Sequence, residues 1–83
     1  QLERYFKGAA NHWRIRILFL LYKSNDLSLE RISEILDGNM KTISEHTHRL
    51  AKAGLVNKRY KGREVLHSLS PYGEKMLKIL KDF

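Results

Sequence analysis

The tripeptide Asp37-Gly38-Asn39 constrains this 83-residue chain more than any other stretch. It stands between two short amphipathic runs and supplies both a stop and a start signal. Upstream, Leu29, Ile32, Ile35 and Leu36 recur at helical spacing and are expected to face inward, with Glu30, Arg31, Ser33 and Glu34 outside. Gly38 fits the left-handed residue that ends a helix, and Asn39 fits the N-cap of the next one. Downstream, Ile43, Thr47 and Leu50 stack at i, i+4 and i+7, flanked by Met40 and Ala51. Helix, tight turn, helix is therefore expected over residues 28–53, the helix-turn-helix unit.

The flanking segments complete one small domain, expected to span residues 1–83. After Ala53-Gly54, Leu55 to Tyr60 and Glu64 to Ser70 read as strands of a β-hairpin joined across Lys61-Gly62-Arg63. Val65, His67 and Leu69 share the face expected to turn toward the helices. Ser70-Pro71 is a helix start, and Met76, Leu77 and Leu80, with Ile79 and Phe83 near the same side, give the last helix (71–82) an apolar stripe. Ahead of the central unit, Asn11 offers an N-cap for a helix over His12 to Lys23, with Ile15, Leu18 and Tyr22 inward and Trp13 as a packing residue. Leu2 to Lys7 could form a short additional helix, and Leu27 to Leu29 one short strand. Ile17, Phe19, Leu20 and Leu21 make the second half of the first helix apolar nearly all round, so it needs cover on more than one side. A surface Phe19 in particular favours a homodimer through the first and last helices. The fold class is mainly α with a small β-hairpin.

Charge is concentrated in one part of this scheme. Between Asn39 and Arg63 lie seven basic residues and a single acid, Glu45, giving +6 of a whole-chain formal charge of +7. The remainder carries nine basic residues against eight acids and is nearly neutral. A polyanion is the natural partner for such a region. At about 100° per residue, Lys41, Thr42, Glu45, His48, Arg49 and Lys52 fall opposite the apolar side of the second helix. In helix-turn-helix geometry that face enters the DNA major groove with its N-terminal residues nearest the bases. Lys41, Thr42 and Glu45 are then candidate base readers and Arg49 and Lys52 candidate phosphate contacts, with Asn39 and His48 completing the helix's DNA-binding set. Glu45 either accepts from a cytosine amino group or pairs with Lys41 or Arg49. Lys58, Arg59, Lys61 and Arg63 crowd the hairpin with only Glu64 to neutralise them, which a phosphate backbone explains.

Other chemistry is excluded or unsupported. Without cysteine the chain has no disulfide, thiolate metal site or cysteine nucleophile, which fits a reducing compartment. The apolar run Ile17 to Tyr22 is too short to span a bilayer, no signal peptide opens the chain, and a cytoplasmic protein is expected. Its first residue, Gln1, suits a processed product or an excised fragment. His46 and His48 project about 200° apart on one helix and cannot share a metal; His12 and His67 lie on other elements, His67 as a hydrogen-bonded residue at the core edge. No phosphate loop, catalytic carboxylate pair or nucleophile–base arrangement is present, so neither enzymatic activity nor a cofactor is expected.

The residues assembled so far resemble the winged helix-turn-helix regulators of the ArsR and MarR type. The likeness runs through Arg14-Ile15-Arg16-Ile17-Leu18, Leu29 to Leu36, Lys41 to His46, Leu50 to Val56, the basic hairpin as wing, and Leu69-Ser70-Pro71-Tyr72-Gly73. It implies an α-β-α-α-β-β-α order, a dimer, and duplex DNA as partner, with the helix 40–53 in the major groove and the wing (55–70) beside it. It names no small-molecule effector. Leu27-Ser28-Leu29-Glu30 stands where metal-sensing ArsR members carry a Cys-x-Cys-type motif, so thiolate sensing there is excluded. Thr47 stands where a larger apolar residue is common, and Glu45 where a basic or neutral one is. Winged helices also serve as protein-interaction modules, which is the alternative reading. The charge map opposes it, since protein-contact faces carry fewer charges at their centres.

Overall fold

The computed structural model describes residues 12–82. Its elements are α1 (His12–Lys23), α2 (Leu29–Leu36), α3 (Met40–Lys52), β1 (Val56–Lys61), β2 (Glu64–Leu69) and α4 (Pro71–Lys81). The expected fold class is observed: helices around a two-stranded antiparallel hairpin. The short strand expected over Leu27 to Leu29 reduces to a one-residue bridge from Leu27 to His67, because Leu29 already begins α2. The segments Leu2 to Lys7, the Asn11 cap and Phe83 lie outside the described residues.

The helix ends follow local chemistry. Ser28, Asn39 and Ser70 all hold extended backbone and cap α2, α3 and α4 by accepting from backbone N–H groups of the first turn. The stop of α2 falls one residue earlier than the sequence suggests. Asp37, not Gly38, takes the left-handed conformation (φ 53°, ψ 48°). Gly38 is required for space instead: a Cβ there would lie 2.9 Å from Ile43 Cδ1 and 3.0 Å from Trp13 Cη2. From α1, the Arg16 guanidinium donates to Leu36 O at 3.0 Å, satisfying a terminal carbonyl of α2.

Ile17, Leu18 and Leu21 of α1 meet Ile32, Ile43, Leu50, Val56 and Leu77 in one core. The expected inward stripe of α1 is thus rotated: Leu18 is buried, but Ile15 is only half-buried and Tyr22 is exposed, its ring covered on one side by Lys81 Nζ at 4.7 Å. Phe19 is half-buried against the core rather than a surface residue, which removes the reason given for pairing through it. Two further residues expected inside stand outside, Ile35 at 43% and Ile79 at 56% exposure. Trp13 packs as expected, with Arg16 over its ring at 4.6 Å.

The hairpin turn is tighter than the sequence reading. Lys61 pairs with Glu64 as the last rung, leaving Gly62 (φ 63°) and Arg63 as a two-residue link. Its base is anchored on both sides. Ser70 Oγ donates to Gly54 O at 2.6 Å while accepting from Gly73 N at 3.0 Å. Gly73 passes so close to the chain that a Cβ would lie 2.3 Å from Leu55 O. On the other edge, Leu27 and His67 exchange backbone hydrogen bonds of 3.1 and 2.8 Å. His67 is fully buried, and its Nδ1–H donates to Leu27 O at 2.9 Å. Burial holds its pKa below the ordinary 6.5, against the opposing pull of that hydrogen bond, and Lys58 lowers it further.

Candidate nucleic-acid interface

Helix α3 presents two faces of opposite character. Ile43, His46, Thr47 and Leu50 are buried, while Lys41, Ser44, Glu45, His48, Arg49 and Lys52 are exposed. Thr42 sits at the margin, half-buried, and so is less outward than its spacing suggests. Asn39 is exposed, but its Oδ1 accepts from Lys41 N at 2.8 Å and Thr42 N at 3.4 Å, so only its NH2 end can serve a partner. Glu45 pairs with Arg49 at 3.3 Å rather than with Lys41. Such an exposed pair is weakly held, worth about 0.3–0.5 kcal/mol on a helix, and opens readily for an external ligand.

The two histidines of α3 divide as their spacing requires. His48 faces out; His46 faces in, where Arg14 Nε donates to its Nδ1 at 3.3 Å. Burial first and Arg14 second keep the His46 pKa below 6.5, so the ring is neutral at physiological pH. Arg14 thereby ties α1 to the back of α3.

The hairpin distributes its charge over both surfaces. Residues directly opposite share a face, so Lys58 (opposite His67) and Tyr60 (opposite Val65) project on one side, and Arg59 (opposite Leu66) and Lys61 (opposite Glu64) on the other. All four, and Arg63 in the turn, are exposed. The expectation that only Glu64 stands near these cations needs correction: Arg59 Nη2 lies 3.2 Å from Asp26 Oδ2. Asp26 is remote in sequence, which is why the local count of charges misses it.

Two further exposed residues join these side chains, and simple sequence signals mark both. Ser44 lies three residues after Lys41 and four before His48, on the same surface. Tyr60 is 75% exposed inside the run Lys58-Arg59-Tyr60-Lys61, an aromatic between cations. Among the described residues no cluster of three or more His, Cys, Asp or Glu could hold a metal ion, and no helix is long and apolar enough to cross a membrane.

Comparison with known proteins bears on the family and the fold. The family model for bacterial regulatory proteins of the arsR family matches residues 12–58. The transcriptional activator HlyU of Vibrio cholerae is 36% identical over 64 residues, which cover 77% of this chain and 58% of HlyU. The chain thus spans a little over half the length of that curated relative. The solved structure of reduced HlyU from Vibrio cholerae superimposes with a TM-score of 0.75 at 32% identity, covering 92% of this chain and 80% of that one. AbfR of Staphylococcus epidermidis shares the fold alone, with a TM-score of 0.83 at 19% identity over 96% of this chain and 57% of that one. The match runs from α1 through α3 into β1, and the chain belongs to the arsR family of bacterial regulatory proteins, built on the winged helix-turn-helix fold.

Proposed function

We propose that this chain binds double-stranded DNA in a sequence-specific manner as the DNA-binding unit of a transcriptional regulator acting in the cytoplasm. One observation carries the assignment: α3 buries one face completely and turns Lys41, Ser44, His48, Arg49 and Lys52 to solvent on the other. In this reading α3 lies in the major groove. Lys41 and Glu45 reach base edges, with Thr42 and Ser44 beside them; Lys donates to guanine and Glu accepts from cytosine. Asn39, His48, Arg49 and Lys52 meet the flanking backbone. Lys58, Arg59, Lys61 and Arg63 hold phosphates alongside, with Tyr60 packing among them. No catalytic step is assigned to any residue.

The active form is a homodimer. Ile79 and Tyr72, at 56% and 70% exposure, leave apolar surface on α4, continuous with half-buried Met76 and Leu80. Pairing through α4 and α1 covers that surface and sets two copies of α3 on one side of a duplex. Selection of bound sequences from a random duplex pool tests the whole reading. An enriched inverted repeat with a fixed half-site spacing is expected; a pool that stays random after repeated rounds contradicts sequence-specific binding. Sedimentation of wild type and Ile79→Glu tests the pairing, with a dimer and a monomer expected.

A further inference from the structure

The loop between α1 and α2 is fastened to the hairpin at two points. Leu27 is joined to His67 by the paired backbone bonds and the ring contact described above, and Asn25 Oδ1 accepts from Leu69 N at 3.3 Å. Asp26 stands between these anchors in left-handed backbone (φ 62°), a conformation that Asp and Asn tolerate better than most residues. From this mount its Oδ2 meets Arg59 Nη2 at 3.2 Å, on the surface of the hairpin that also carries Lys61. The side chains of Arg59 and Asp26 are 58% and 48% exposed, so the guanidinium is open to an external anion. A carboxylate and a phosphate offer the same guanidinium equivalent acceptor oxygens.

We propose that Asp26 is an internal competitor for the hairpin's contact with DNA: it occupies Arg59 in the free protein and must be displaced before Arg59 reaches a phosphate. The residue then sets how tightly the chain holds duplexes of any sequence, while base reading by α3 is untouched. This rests on the assignment of the hairpin to the phosphate backbone made above. The pair is held by a loop fixed to β2, not by chance meeting of two free side chains. Its carboxylate therefore stays in place as Arg59 swings between partners.

The test is a double-mutant cycle. Asp26→Asn keeps the side-chain shape and suits left-handed backbone, so the variant folds. Affinities of wild type, Asp26→Asn, Arg59→Gln and the double variant for a random-sequence duplex are measured by fluorescence anisotropy over a range of salt concentrations. Asp26→Asn is expected to bind about two- to fivefold tighter, the scale of an exposed ion pair. Because Arg59 reaches the same phosphate in both proteins, the slope of log K against log salt should differ by well under the value of about 0.9 that an additional phosphate contact would add. In the Arg59→Gln background the gain should vanish. An equal gain in both backgrounds marks a general effect of net charge and overturns the proposal, as does unchanged or weaker binding by Asp26→Asn. If wild type itself fails to bind at low salt, the DNA-binding assignment falls and takes this proposal with it; wild-type binding with an unresponsive Asp26→Asn sinks the proposal alone.

Discussion

In α3, the exposed cations stand behind a buried row of Ile43, His46, Thr47 and Leu50, so the core fixes their direction. In the hairpin, neighbouring residues of β1 point to opposite sides, and Lys58 parts from Arg59 and Lys61. Two of the hairpin's cations also have an acid at hand, Arg59 beside Asp26 and Lys61 across from Glu64. Under the proposed function, the difference divides the work of one basic region. A surface held by a core can favour a particular pattern of base edges, because the backbone that carries its donors does not shift. A ribbon with charge on both sides suits a phosphate backbone, which asks for positive potential rather than a fixed pattern.

The strongest attack on this comparison removes the mount of α3. Ile43→Ala should destabilise the fold by about 3 kcal/mol, since Ile43 is fully buried against Gly38; urea unfolding followed by circular dichroism reads it. A loss below about 1 kcal/mol would show that α3 is not held as described. The next two variants separate the surfaces. Lys41→Ala should change the preferred base at one position by about 1–3 kcal/mol, measured as relative affinity for single-base operator variants. Replacing Arg59, Lys61 and Arg63 together by Gln should weaken all duplexes alike and flatten the salt slope by up to about 2.7, three contacts' worth. A triple variant that altered base preference would erase the division of labour.

Smaller effects sharpen the picture of the buried side. Among the described residues nothing hydrogen-bonds the buried Thr47 Oγ1, and leaving a buried hydroxyl unpaired is destabilising. Thr47→Val should raise stability by about 1 kcal/mol in the same unfolding experiment, with DNA affinity unchanged. The histidines predict a pH dependence. His46 and His67 both have folded pKa values below their unfolded 6.5, so below that pH the unfolded chain binds more protons. Stability should be flat above about pH 6.5 and decline as pH falls through the lowered folded values. His67→Gln should flatten that decline; a profile that stays flat on acidification would contradict neutral burial of these rings.

Much of this was legible from local signals. Asn39 and Ser70 cap helices through side chains that act within three residues, and the Gly62 turn is a short-range choice of backbone. The orientation of α1 was not legible, because a run that is apolar on nearly every side carries no phase. Ile35 and Ile79 were misjudged because hydrophobic spacing gives a face but not how far its cover extends. Gly38 looks like a helix stop in the sequence, but its need is room for Ile43 and Trp13, a tertiary fact. At the candidate interface, residue types and spacing point to most of the exposed row of α3. The restraints on it were hidden, since Arg14 reaches His46 from 32 residues away and Arg59 meets an acid in another loop.

The most direct measurement is the affinity of the unmodified protein for duplex DNA as salt is varied. Binding at low salt with log K falling linearly against log salt, by about 0.9 for each phosphate engaged, is the predicted result. Affinity indifferent to salt, or no binding of micromolar protein to any duplex at low salt, would contradict the claim that the exposed ridge of α3 and the hairpin grips a double helix.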